Sequence, residues 1–196
     1  AADAMAKMAN CYQRIGAILI DPAQRQQALT RARQIYEKVM NEFGNTPAMP
    51  VAVMERARGL ALLGDVTGAI NELNRFNGDP LKQSAVAPLA LMRSAGLLRA
   101  NNRAADAMNL MAQCRAQYES TCLKDPSRSD WVPQMQLEHA IAMKDAGKLT
   151  EARAVFEAIV KGFSKHPDAA SAYWRAAQCR REELQAAMSS SQATLI

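Results

Sequence analysis

Strand-forming alternation is the first thing missing from this chain. Runs of Val, Ile, Thr and aromatic residues at every second position are almost absent, and aromatics make up only 5% of the 196 residues. A sheet therefore has little to be built from. No stretch of 18 apolar residues occurs, so nothing in the sequence spans a membrane as a helix. No C-x-x-C occurs among Cys11, Cys114, Cys122 and Cys179. Cys114 and Cys122 lie eight apart in a helical segment, about 12 Å along an unbroken helix, which is too far for a disulfide. All four read as small buried hydrophobes and do not decide the compartment.

Catalytic patterns are missing as well. The chain holds no G-x-S-x-G, no G-x-x-x-x-G-K and no H-E-x-x-H. Its two histidines have no metal-spaced companions: His139 follows Glu138 in a helical stretch and reads as a partly buried helix residue, and His166 precedes Pro167 in a loop. Glu182 and Glu183 are helix neighbours that point apart, and the glycines are dispersed. No catalytic residue, metal ligand or cofactor site is expected, and the chain reads as a non-enzyme.

A strong charge of one sign is also lacking. Lys and Arg number 24 against 19 acids, a net charge of +5, and the two signs are interleaved. The local cluster Arg175, Arg180 and Arg181 lies near Tyr173 and Trp174. A single-strand binder wants such aromatics exposed on the same face. At least one of the two is expected to pack against the helix before it, so nucleic acid is disfavoured. The chain opens at Ala1 without a charged-then-apolar leader, which reads as a mature or trimmed piece of a longer protein.

What the sequence has is alanine, methionine and a period. Alanine is the best helix former and lets helices approach closely. A small residue followed at +4 and +7 by larger apolar ones recurs as Ala32/Tyr36/Val39, Ala69/Leu73/Phe76, Ala107/Met111/Cys114 and Ala152/Phe156/Ile159. Twelve residues before the last three stand Ala57, Ala95 and Ala140, each followed at +3 by Leu60, Leu98 or Met143. Offsets of 3, 4 and 7 mark one face of a helix, so each repeat holds two helices that cross at a small residue.

The punctuation fits this period. Asp21-Pro22, Thr46-Pro47, Asp79-Pro80 and Asp125-Pro126 each read as a capping side chain before a helix-opening proline. Gly64-Asp65, Asn101-Asn102 and Gly147-Lys148 supply residues that tolerate the left-handed conformation at a helix end. The pattern predicts first helices near 3–19, 47–63, 81–100 and 130–146. Their partners fall near 22–43, 67–77, 103–122 and 149–163, and a closing helix near 168–187. Pro88 kinks the third first helix or makes it start late. A single domain over 1–188 and a flexible tail over 189–196 are expected.

These residues resemble the tetratricopeptide repeat (TPR) family. The fourth unit carries the likeness best: Gly147-Lys148-Leu149-Thr150-Glu151-Ala152, then Phe156 and Pro167. The other units replace the family's aromatics with Leu or Met, and their periods exceed its usual one. The resemblance implies an all-α, right-handed superhelical stack of antiparallel hairpins, about four plus a terminal helix. The stretch from Phe156 to Pro167, with Ala172 to Ala177, is similar to a variant common in bacterial cell-envelope TPR proteins. That implies a cell-envelope or periplasmic location, with the cytoplasm as the alternative.

In that family the first helices line a concave groove. Counting from the small residues, the implied partner-binding positions are Met54, Arg58, Met92, Arg99, Leu137, Ile141, Lys144, Tyr173 and Arg180, with Ala61, Gly96 and Ala177 beside them. Chaperone-tail binders of the family use a Lys/Asn clamp; Arg58, Gly96 and Ile141 stand there instead and argue against that ligand. The expected function is a protein-interaction scaffold that seats a peptide or partner with apolar and acidic residues in the groove. Arg58, Arg99, Lys144 and Arg180 form its basic line, and reversing all four is expected to spare the fold. The alternative is an assembly module that self-associates through its terminal helices, giving a homo-oligomer. Exposed apolar surface separates the two: it lies in the groove for a peptide binder and on the terminal helices for an assembler.

Overall fold

A computed structural model describes residues 1–193, and among them regular structure is entirely helical. Nine α-helices follow one another: α1 (Ala2–Ile18), α2 (Pro22–Glu42), α3 (Ala48–Leu62), α4 (Val66–Asn74), α5 (Ala87–Ala100), α6 (Ala104–Lys124), α7 (Trp131–Asp145), α8 (Leu149–Gly162) and α9 (Asp168–Ala193). Short 3-10 turns at Arg75–Asn77 and Leu81–Gln83 fill the approach to α5. The chain divides into two compact units, Ala1–Ser94 and Ala95–Ile196.

In the first unit α1 packs on α2, α2 on α3 and α3 on α4, while α1 also meets α3. In the second, α6 packs on α7, α7 on α8 and α8 on α9, while α7 also meets α9. Within each unit, successive helices of these sets pack together, and the first helices α1 and α3, and α7 and α9, touch. This is the TPR-like arrangement of helical hairpins.

The small residues mark the crossings. Ala57, Ala69, Ala95, Ala107, Ala140 and Ala152 have no exposed surface, and Ala32 has 1%. The larger residues of each phase fill the space beside them: Tyr36, Leu73, Phe76, Met111, Phe156 and Ile159 are all buried. Full burial of a Leu or Phe contributes about 1.5–3 kcal/mol against leaving it in water. In the first unit Ala9, Ala32, Tyr36 and Ala52 form one cluster; in the second Ala140, Phe156, Ala172 and Cys179 form another.

Three hairpin turns are built alike. Gly64, Asn102 and Gly147 take positive φ of 88°, 59° and 81°. The next residue's N–H reaches back to the carbonyl five before it, from Asp65 to Leu60, Arg103 to Leu98 and Lys148 to Met143, each at 2.9 Å. The left-handed residue's own N–H bonds the carbonyl three before it, on Ala61, Arg99 or Lys144. Together these satisfy carbonyls that a helix end leaves orphaned, and they require a residue tolerant of positive φ.

The helix starts differ from expectation. Only Asp21 caps as proposed, with Oδ1 accepting from Ala23 at 2.8 Å and Gln24 at 3.0 Å, and with Pro22 opening α2. Thr46 instead donates its hydroxyl to the Phe43 carbonyl, ending the chain reversal before α3. Asp79 accepts from the Gln83 side chain. Asp125 accepts from the Ser127 N–H and hydroxyl and from Arg128, folding a turn ahead of α7. The Asp-Pro or Thr-Pro pair gives a turn as readily as a cap, since the side chain satisfies whichever nearby donors the turn presents. Pro88 sits second in α5, which accordingly starts late.

Helix α9 runs through Ala193, so residues 189–193 continue it where a tail was expected. No Gly or Pro interrupts that stretch, and the Ser189 hydroxyl donates back to the Gln185 carbonyl at 3.0 Å. Residues 194–196 lie outside the described residues. Cys114, Cys122 and Cys179 are buried as small hydrophobes, whereas Cys11 is exposed on α1.

Candidate functional site

The apolar half of the expected groove strip is core. Met54, Met92, Leu137 and Ile141 are 4%, 8%, 8% and 5% exposed. Leu137 and Ile141 belong to the cluster containing Ala172 and Ala176 of α9. For Leu137 and Ile141 the cause is lateral packing: α7 is flanked by α9 as well as by its own partner α8. Those two positions therefore fall under a neighbour, and all four, being buried, are not surface anchors.

The basic half is already engaged. In the first unit Arg58 lies 3.8 Å from Glu55. In the second, Arg99 contacts Glu138 at 2.6 Å and Asp145 at 2.9 Å, Lys144 contacts Glu182 at 3.0 Å, and Arg180 contacts Glu157 at 3.3 Å. Each base thus has a carboxylate within 4 Å, although Glu55 is shared with Arg93 and Glu157 with Arg153. Reversing them would set like charges together at each pair.

The acids stand in the same register of the sequence. Glu55 and Glu138 come two before Ala57 and Ala140, and Arg93 two before Ala95. Arg93 of α5 donates to Glu55 of α3 at 2.7 Å, and Arg99 of α5 to Glu138 of α7. Ion pairs thus tie successive first helices. Burial pushes the Glu138 carboxyl up, and the Arg99 charge opposes that rise.

One concave site survives in the first unit. A cavity of about 550 Å³ lies among α1, α2 and α3, with Asn10 and Cys11 on one wall, Ala48 and Val51 on the other, and Tyr36 and Glu55 beneath. The Tyr36 hydroxyl is buried without a hydrogen bond of good geometry, although the Asn10 side chain faces it. Burial, and next the Glu55 charge, hold that hydroxyl protonated well above the usual phenol range. Glu55 Oε2 is likewise buried without a hydrogen bond, while its backbone carbonyl accepts from Gln13 at 3.1 Å. Both atoms are fully buried, and Glu55 Oε2 lies 3.8 Å from the Arg58 guanidinium.

Large exposed apolar residues gather elsewhere. Met8, Tyr12, Ile15 and Ile18 lie on α1, with Ile20 just beyond; Tyr173, Trp174, Leu184 and Met188 lie on α9; Leu123 lies near the end of α6. Tyr173 and Trp174 are 70% and 65% exposed, so neither is covered by α8 as the sequence suggested. Tyr173 still borders a shallow cleft with Val160 and Lys161 of α8. Among the described residues no group of three His, Cys, Asp or Glu side chains could hold a metal ion. No helix among them is long and apolar enough to cross a membrane.

Comparison with solved structures supports the fold. The chain is similar to the TPR-like repeats of a Podosopora anserina protein described as a kinesin light chain, which has nearly identical repeats. Identity is 21% and the TM-score 0.66, over 97% of this chain and 93% of that one. A point variant of the same protein gives 21% identity and a TM-score of 0.67, over 97% and 92%. No family model and no curated protein matches the sequence.

Proposed function

We propose that this chain is a non-enzymatic protein-interaction scaffold that docks partners on the apolar faces of α1 and α9. One observation carries the choice of surface. Of the ten large hydrophobics most exposed to water among the described residues, eight lie on those two helices and a ninth, Ile20, closely follows α1. Large contiguous apolar exposure marks interaction sites on folded proteins. The groove positions, by contrast, are mostly buried or ion-paired. By the criterion drawn from the sequence this distribution is the one expected of an assembly module, and it favours docking through the first and last helices over a peptide laid along the first-helix groove. The TPR-like hairpin fold supports a binding role in general.

A second reading keeps a groove ligand, and the Tyr36–Glu55 cavity favours it. There an extended segment would lie between Asn10 and Cys11 of α1 and Ala48 and Val51 of α3, beside Tyr36 and Glu55.

The test compares co-purified partners of three variants: Met8→Ser with Ile15→Ser, Trp174→Ser with Leu184→Ser, and Tyr36→Phe. Loss of partners with the helix-face variants and retention with Tyr36→Phe is expected. Loss with Tyr36→Phe alone would move the function to the groove.

A further inference from the structure

Helix α1 has two apolar faces. Met5, Ala9 and Gly16, with Gln13, turn inward on the first unit's core, and Ala9, Gln13 and Gly16 are buried. A second line, Ala4, Met8, Cys11, Ile15 and Ile18, is exposed at every position. Its steps are four, three, four and three residues. That is the a/d spacing of a coiled-coil seam, which a partner helix covers by knobs-into-holes packing.

The flanks of this seam carry a sign. Lys7 and Arg14 stand one residue before Met8 and Ile15, seven apart, so they fall on the same side one heptad on from each other. Both are exposed and neither is ion-paired among the described residues. They differ in this from Arg58, Arg99, Lys144 and Arg180, each of which has a carboxylate. The other flank, Met5, Tyr12 and Leu19, is uncharged.

We propose that α1 offers half of a coiled-coil seam to an amphipathic helix of a partner protein whose flank facing Lys7 and Arg14 is acidic. This rests on the reading of α1 as a docking surface and names the chemistry of what docks. Flanking charges set partner choice in such seams. A second copy of this chain fits less well. An antiparallel pair brings the same flank of both copies together, setting Lys7 beside the other copy's Arg14 twice. A parallel pair sets those bases beside Tyr12 and Leu19, where no acid answers them.

The test titrates the full chain with two synthetic helical peptides that share leucines at the seam positions. One carries glutamates on its flanks and the other lysines. Binding of the glutamate peptide about tenfold or more tighter is expected, with the gap narrowing at high salt. Ile15→Asp should abolish binding, and Lys7→Glu with Arg14→Glu should invert the preference. Circular dichroism checks that each variant stays helical. Equal binding of the two peptides would overturn the proposal. So would a concentration-dependent dimer by sedimentation that Ile15→Asp dissolves, since a second copy would then cover the seam. Native partners that still depend on Ile15 would keep the docking reading while the acidic helix fell. Partners indifferent to Ile15 and Leu184 would remove the docking reading itself.

Discussion

Arg115 of α6 meets Nδ1 of His139 of α7 at 3.0 Å. Arginine can only donate, so Nδ1 accepts and the imidazole is neutral. Burial first, and the Arg115 charge second, push His139 down to about 4 from its usual 6.5, against an opposing pull from Glu119.

Stability should therefore fall with acidification. The unfolded chain binds a proton at this histidine as pH drops below its ordinary value, while the folded chain resists until about pH 4. The contribution is fully present above about pH 6.5 and is lost progressively down to about 4. Its size is on the order of 3 kcal/mol at most. Urea unfolding across that window checks it, and His139→Gln should flatten the slope there. An unchanged slope would show that the ring titrates freely in the fold.

Ala69→Leu and Ala152→Leu should each destabilise by roughly 1–3 kcal/mol, because both sites have no exposed surface at a helix crossing. Leucine nearly matches alanine in helix propensity, so the loss comes from overpacking. Thermal melts of both variants coinciding with the parent would place these alanines away from close crossings.

Two glycine substitutions should move in opposite directions. A Cβ on Gly16 would stand 2.7 Å from Leu29 Cγ and 3.3 Å from the Leu29 backbone nitrogen, and Leu29 is fully buried. Gly16→Ala should thus destabilise despite alanine's better propensity. A Cβ on Gly59 in α3 would meet nothing within 4 Å, so Gly59→Ala should stabilise by about 0.5–1 kcal/mol. Denaturant midpoints read both signs.

Removing Arg99 should cost about 1–2 kcal/mol near neutral pH, because it strands Glu138, a partly buried carboxylate that burial already disfavours. Adding Glu138→Gln to Arg99→Ala should recover part of that loss. A double-mutant cycle with no coupling would show that the pair contributes little.

The helices, their crossings and the three left-handed turns were legible in the sequence because each depends on local chemistry. Ala152 with Phe156 and Ile159 defines a face by spacing alone, and Gly147 ends a helix by its own conformational freedom. The groove strip was less legible. Whether Met92 or Ile141 is exposed depends on the neighbouring first helix, which spacing within one helix does not report. Arg99 looked free because its partners stand 39 and 46 residues away. The α1 seam stayed hidden for a different reason: the repeat becomes regular only from Ala32, and its register does not include Met8, Cys11 and Ile15.

The border between the two compact units falls between Ser94 and Ala95, inside α5. A protease therefore meets no loop at that border, and limited digestion should not release either unit cleanly there. Anyone building chimeras from this chain inherits the same constraint. A crossover at residues 94 and 95 would have to rebuild a helix from two parents. A crossover at Asn101-Asn102 cuts where α5 has already ended and the hairpin reverses. The natural unit of exchange along this sequence is thus set by its left-handed turns.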